Sequence, residues 1–302
     1  MQPSPRARYW QLPDRRLEFG PQPVLMGIVN VTPDSFSDGG RYFSEDAAVA
    51  HALELVEQGA DILDIGGEST RPYAEPVSEE EEMRRVLPVV RRLAASTSVP
   101  ISIDTSKAAV ARAALEAGAT IVNDVTALRA DPRMLDVIQQ YRAAVCIMHM
   151  QGTPQTMQDN PHYEDVVSEV LAFLRERRDA LLQAGVSVDR IAIDPGIGFG
   201  KTTAHNIELL KNIGRFHTLG CPVLVGHSRK GFIGKVIGDL QRDRVAGGIG
   251  VSLAMALRGV QILRVHDVEA TRQALALFAA CGALVDLPED QPSEVDPMPG
   301  IR

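Results

Sequence analysis

Cysteine is scarce in this 302-residue chain: Cys146, Cys221 and Cys281 are far apart, odd in number and without C-x-x-C spacing. That pattern argues against a disulfide framework or a cysteine metal site and reads as reduced thiols used as small apolar residues. Positive charge is also in deficit, with 31 Lys and Arg against 39 Asp and Glu giving a net charge of −8 and a pI near 5.4. A nucleic acid or an anionic membrane as main partner needs a concentrated basic face, so no such partner is expected and any bound anion must be held locally. No apolar run approaches the ~18 residues of a membrane span. The opening MQPSPRARYWQLPDRR carries charge without an apolar stretch after it, so the expected location is the cytoplasm.

Complete nucleotide and hydrolase motifs are missing as well, although one comes close. Residues 194–202 read DPGIGFGKT, ending like a P-loop. That motif needs glycine five residues before Gly200, where Pro195 stands. The dinucleotide fingerprint fits Gly196 and Gly198 but needs glycine where Lys201 stands. GHSRKG at 226–231 has one residue too many for the G-x-S-x-G elbow, which makes Ser228 a poor nucleophile, and no histidines have H-E-x-x-H spacing.

Short apolar, β-branched runs are what the chain does have: VLMGIVN (24–30), DILDIGG (61–67), VPISIDT (99–105), TIVND (120–124), AVCIMH (144–149), RIAIDPG (190–196), CPVLVGHS (221–228) and VQILRVHD (260–267). Near-continuous apolarity predicts strands covered on both faces, as in a parallel sheet. Helical patterns lie between them. Ser78 with Glu81 has capping-box spacing, and Tyr163, Val166, Val167, Val170, Leu171 and Leu174 form one apolar face. Sustained strand–helix alternation predicts one α/β domain, a closed barrel or an open doubly wound sheet. Residues 1–20 and 286–302, Pro-rich and charged, read as a surface extension and a disordered tail. Two connections, 31–44 with Gly39 and Gly40 and 68–77 with Pro72 and Pro76, are longer than a routine βα loop of ~2–6 residues.

Nearly every expected strand ends, at its carboxyl side, in a residue an apolar core would reject: Asn30, Asp104, Asn123 with Asp124, His149, Asp194, His227 with Ser228, and Arg264 with His266. In a barrel those ends converge on one face. Each Asp or Asn alone is equally well explained as a cap of the next helix, a role open to Thr105 or Ser106 too. Capping does not account for Arg264, His266 or Lys230. The set divides by chemistry. Asp104, Asn123 and Asp194 are acceptor-rich and suit the N–H groups of a planar nitrogen heterocycle. Arg71, Lys230, Arg264 and His266 are cationic donors suited to phosphate oxygens.

Taken together, NVTPDSFSDGG (30–40), GGESTRP (66–72), SIDT (102–105), VNDV (122–125), MHMQG (148–152), DPGIGFGK (194–201), GHSRKG (226–231) and RVHDV (264–268) resemble the dihydropteroate synthase family over about residues 24–285. The resemblance implies a single (β/α)8 TIM barrel over 21–285. It implies condensation of 6-hydroxymethyl-7,8-dihydropterin pyrophosphate with p-aminobenzoate, with Mg²⁺ as cofactor and a homodimer as the assembly. By resemblance, Asp104, Asn123, Met148, Asp194 and Lys230 take the pterin. Asn30, Arg71, Arg264 and His266 take the pyrophosphate, with Asn30 as metal ligand. Phe36, Thr70, Arg71, Pro72, Phe199, Lys230 and Gly231 take the aminobenzoate, and Asp34, Lys230, Arg264 and His266 act in catalysis. In the family, C–O cleavage is thought to precede attack, so no protein nucleophile is required, and the two long loops close as lids. Tyr73 and Gly231 depart from the common pattern and bear on aminobenzoate affinity. Two alternatives share the scaffold: a pterin-binding corrinoid methyltransferase, which would not need the Asn30 loop, the GESTRP loop or the RVH cluster, and a non-catalytic pterin-binding protein.

Overall fold

A computed structural model describes residues 6–32, 45–70 and 74–284. All eight expected strands form: β3 (Val24–Asn30), β4 (Ile62–Gly66), β5 (Ile101–Asp104), β6 (Ile121–Asp124), β7 (Ala144–Met148), β8 (Ile191–Asp194), β9 (Leu224–Val225) and β10 (Ile262–Val265). They make one parallel sheet in the order β8-β7-β6-β5-β4-β3-β10-β9. A parallel bridge between Ile193 and Val223 joins its two ends, with the Ile193 N–H donating to the Pro222 carbonyl at 2.9 Å. The sheet is therefore a closed (β/α)8 barrel, and the open doubly wound alternative falls away.

Period-two alternation sorts each strand between two cores. Outward residues such as Leu63, Ile65, Val122 and Leu263 pack with α1 (Glu45–Glu57), α2 (Glu79–Ser96), α3 (Ala108–Glu116), α4 (Met134–Tyr141), α5 (Val166–Gln183) and α6 (Thr203–Lys211) in the main core. Three more helices, α7 (Gly231–Ile237), α8 (Val245–Leu257) and α9 (Val268–Ala280), complete the described ring. Inward residues Met26, Ile62, Ile121, Ala144, Ala192, Leu224 and Ile262 fill the barrel. The five expected apolar residues from Val166 to Leu174 are buried on α5, whereas Tyr163 precedes that helix and is buried beside it.

The amino-terminal extension is not a surface appendage. Residues Tyr9–Gln11 (β1) and Arg16–Glu18 (β2) form an antiparallel hairpin, and Trp10 and Leu12 join the barrel-interior cluster, fully buried. The Trp10 indole donates to the Arg190 carbonyl at 3.0 Å, just before β8, so the hairpin closes the barrel at its amino end. The capping box expected at Ser78 is half made: Ser78 Oγ accepts from the Glu81 N–H at 3.2 Å, but the Glu81 carboxylate turns to Arg84 and Arg85 instead. Cys146 and Cys221 are buried as expected, but Cys281 is exposed. The expected tail, from 286 on, lies outside the described residues, and no described helix is long and apolar enough to cross a membrane.

Candidate active site

Strand register assembles the floor. Asp104 lies beside Gly66 on one side and Asn123 on the other, and Met148 beside Asp194. These are inward positions at the carboxyl ends, one step above the apolar filling, so polar side chains there face the mouth and not the core. Above them opens a cavity of about 830 Å³ bordered by Asn30, Thr70, Asp104, Phe199, Lys230, Arg264 and His266. Asn123, Met148 and Asp194 are not among its lining residues and are almost wholly buried.

The first cluster is centred on Arg264, whose Nε donates to Asp64 Oδ2 at 2.6 Å and whose terminal nitrogen donates to Asp104 Oδ2 at 2.7 Å. Asn123 Nδ2 also donates to Asp64 Oδ2, at 3.2 Å. Burial pushes the Asp104 carboxyl up to about 7, with the Asp64 charge adding to the rise and Arg264 opposing it. Burial also works against the charge on Arg264, but Asp64 and Asp104 outweigh it and hold the guanidinium firmly protonated. One guanidinium fork thus joins Asp64 and Asp104 at the carboxyl ends of their strands.

The second cluster is built by the DPGIGFGK segment. Asp194 Oδ1 accepts from the Gly196 N–H at 2.7 Å, turning the backbone tightly at the strand end. Burial raises the Asp194 carboxyl, against the opposing charge of Lys230. Lys230 donates to the Ile197 carbonyl and lies 4.5 Å over the Phe199 ring, a cation–π contact that fixes both side chains at the cavity wall. Burial lowers the Lys230 ammonium to about 8, with Asp194 opposing. Gly196 has φ of 71°, and a Cβ there would collide with the His149 carbonyl. A Cβ on Gly198 would press on the Lys230 stem at 3.0 Å. These glycines therefore admit close protein neighbours.

Lys201 is buried and donates to His149 Nδ1 at 3.0 Å, the His149 carbonyl at 3.3 Å and the Phe199 carbonyl at 2.9 Å. Through these three contacts it ties the β7 end to the next loop. Burial, with the Lys201 charge adding to it, depresses the His149 imidazole to about 2, so the ring is neutral and accepts. Asp124 caps a turn through the N–H groups of Thr126 and Leu128, and His227 pairs with the Gly248 carbonyl and Ser252. Asp124, His149 and His227 are thus each hydrogen-bonded within the protein. Ser228 is no isolated nucleophile: its Oγ meets His266 Nδ1 at 3.1 Å and accepts from the His266 N–H at 3.2 Å, orienting that ring at the cavity rim.

Of the expected site residues, Asn30, Thr70, Asp104, Phe199, Lys230, Gly231, Arg264 and His266 meet around one cavity. Asp34, Phe36, Arg71 and Pro72, with Gly39, Gly40 and Tyr73, lie outside the described residues. Asp64 escaped the sequence reading; an acid at the second inward position of ILDIG was the signal. Arg229 and Lys235, which also border the cavity, escaped because neither stands at a strand end. Among the described residues no group of three His, Cys, Asp or Glu side chains stands together as a metal cage. Mg²⁺ commonly takes one or two protein oxygens and completes its shell with substrate phosphate and water. The Asn30 carboxamide, half-buried at the same cavity as Arg264 and His266, fits that donor requirement.

A closed parallel barrel with carboxylates and a carboxamide in its floor and cations around its mouth defines a (β/α)8-barrel protein. The profile of the pterin binding enzyme family matches residues 26–266, and the chain belongs to that family. It is 47% identical to the dihydropteroate synthase of Haemophilus influenzae over 258 residues, 85% of this chain and 94% of the relative. The Xanthomonas albilineans dihydropteroate synthase solved with 4-aminobenzoic acid superposes with a TM-score of 0.85 at 51% identity, covering 92% of this chain and 100% of the other. The same enzyme with 7,8-dihydropteroate gives 0.78 at 50% identity, over 87% and 95% of the two chains.

Proposed function

We propose that this protein is a dihydropteroate synthase, condensing 6-hydroxymethyl-7,8-dihydropterin pyrophosphate with p-aminobenzoate to give 7,8-dihydropteroate and pyrophosphate. The observation that carries the reading is the Arg264 fork, which sets a cationic donor against the acceptor Asp104 at one cavity. A relative of about half identity, solved once with 4-aminobenzoic acid and once with 7,8-dihydropteroate, supports the same substrates.

In this reading Asp104, Asn123 and Asp194 accept from the pterin N–H groups and Met148 lines the ring's apolar side. Arg264 and His266, with Asn30 and Arg71, hold the pyrophosphate, and Lys230 serves the pterin and the aminobenzoate. Asn30 would hold Mg²⁺, which when bound supplies charge neutralisation to the departing pyrophosphate. The C–O bond breaks with its electron pair leaving on pyrophosphate, and the cationic cluster stabilises the charge that develops there. The ring methylene left behind carries positive charge, delocalised into the pterin. The aniline nitrogen of p-aminobenzoate adds to it and loses a proton, and it needs only positioning against the wall formed by Thr70, Phe199 and Gly231, with Phe36, Arg71 and Pro72. Asp34 is assigned to the same step. Excluding water from the cation is assigned to the 31–44 and 68–77 connections, whose residues 33–44 and 71–73 lie outside the described ones.

The enzyme is also read as a cytoplasmic homodimer. Val236 and Ile237 at the end of α7, with Leu240 just after it, are exposed apolar side chains that a second copy could cover. Incubating the purified protein with Mg²⁺, the pterin pyrophosphate and p-aminobenzoate is expected to release pyrophosphate and form dihydropteroate. Pterin binding without product would instead favour the non-catalytic alternative.

A further inference from the structure

Outside the two clusters, Lys107 stands where three elements meet. It follows Asp104 by three residues and begins α3, and its backbone N–H donates to Thr105 Oγ1 at 3.2 Å. Its ammonium donates to Glu68 Oε2 at 2.7 Å and to Glu82 Oε2 at 2.5 Å. Glu68 lies two residues beyond β4, and its other oxygen accepts from the Val77 N–H at 2.9 Å, so one carboxylate spans the two ends of the 68–77 connection. Glu82 sits in the first turn of α2 and is fully buried. The start of the connection is held from the other side as well: Arg85 donates to the Gly67 carbonyl at 2.9 Å, and a Cβ on Gly67 would meet Val86 at 2.7 Å.

The ion pairs have a direction of effect. Burial raises the Glu82 carboxyl, and Lys107 acts against that rise. A buried carboxylate without a partner would neutralise or destabilise the fold, so Lys107 is required where it is. Glu68 has no such need, being part-exposed, and it borders the cavity together with Ser69 and Thr70. A purely structural pair would be complete with Lys107 and Glu82. The second carboxylate extends the network to the cavity wall.

We infer that Lys107 and Glu68 form a clasp that fixes the Glu68–Thr70 wall relative to Asp104, making both positioning residues for the second substrate. The inference rests on the proposed reaction, in which Thr70 belongs to the p-aminobenzoate site. Without the clasp the wall would visit the binding-competent arrangement for only a fraction of the time, and apparent affinity falls by that fraction. The pterin floor, held by Asp64 and the strand register, does not depend on it.

Three variants test this: Glu68→Ala, Glu68→Gln, and the double variant Lys107→Met with Glu82→Leu, which removes the half-buried ammonium and the buried carboxylate together so that folding is not lost to an unpaired carboxylate. The p-aminobenzoate KM is expected to rise about tenfold in Glu68→Ala and in the double variant. The affinity for pterin pyrophosphate, measured by calorimetry, is expected to stay unchanged, and the conservative Glu68→Gln to recover part of the loss. Hydrogen exchange at the Val77 amide is expected to accelerate in Glu68→Ala. An unchanged aminobenzoate KM, or equal loss of both substrates, would overturn the inference. Absence of product in the wild type would sink the reaction instead, while Val77 exchange would still report the clasp.

Discussion

Asp64 and Arg264 are joined inside the barrel by a 2.6 Å bond from Nε to Oδ2, and the same Asp64 oxygen receives the Asn123 amide. A fully buried carboxylate therefore orients one residue from each half of the proposed site. Arg264→Ala leaves Asp64 and Asp104 without their cation, and breaking such a pair costs about 3 kcal/mol or more in unfolding free energy. Urea unfolding measures that cost. The same variant is expected to weaken inhibition by pyrophosphate about tenfold or more, through loss of a charged donor. Asp194→Asn is expected to remove pterin binding while pyrophosphate inhibition persists. Equal loss of both ligands in each variant would contradict the division of the site into two groups.

The pH dependence follows from Asp104 and Lys230. Burial, with Asp64 adding and Arg264 opposing, raises Asp104 from 3.8 to about 7. A carboxyl raised on folding contributes stability below its unfolded value and loses it as pH climbs through about 7, so the ligand-free protein is expected to become less stable over that window. Pterin binding needs the carboxylate, so affinity rises across the same range. Burial lowers Lys230 to about 8, and its cation is lost above that pH. The profile of kcat/KM is expected to be bell-shaped with a rising limb near 7 and a falling limb near 8. Asp64→Asn removes a charge that raises Asp104, and should move the rising limb to lower pH. A limb that stays in place would show that another group sets it.

The near-miss P-loop yields its own test. If Lys201 held phosphate, Lys201→Met would weaken pyrophosphate inhibition. Its three bonds to His149 and Phe199 predict otherwise: inhibition unchanged and stability lowered by about 1–3 kcal/mol, because buried acceptors lose their donor. Thermal unfolding and product-inhibition kinetics on one variant separate the two outcomes.

Much of this molecule was legible because a barrel strand is buried on both faces. Runs such as VLMGIVN and AVCIMH fit strands covered on both faces, and a polar residue at their carboxyl end stands out against that background. Asp104, Asp194 and Arg264 were found in this way. Asp64 was not, because it lies inside a run and its inward direction depends on the strand's phase, which Ile62 and Gly66 fix only once the barrel closes. Lys107 and Glu82 were hidden for a different reason: in sequence they are ordinary charges at helix starts, and their pairing depends on two helices meeting. Chemistry at a strand end reads directly, whereas chemistry created by tertiary approach does not.

Trp10 was the least legible residue of all, since it sits in a hairpin of three-residue strands amid Pro and Arg. It is nevertheless fully buried, packed under the apolar filling of the barrel with its indole bonded to the Arg190 carbonyl. Trp10→Ala is expected to cost about 3–5 kcal/mol, since it removes an aromatic side chain from a filled interior and leaves a carbonyl without its donor. The site lies at the opposite end of the strands, so both substrate KM values are expected to hold at temperatures where the variant is folded. Because this is the one tryptophan in the chain, its fluorescence reports the plug directly in the wild type. Emission should shift to the red in a single step together with the loss of far-ultraviolet circular dichroism if hairpin and barrel unfold as a unit. A red shift that precedes the loss of barrel structure would mean that the hairpin detaches first and contributes little to the stability of the remainder.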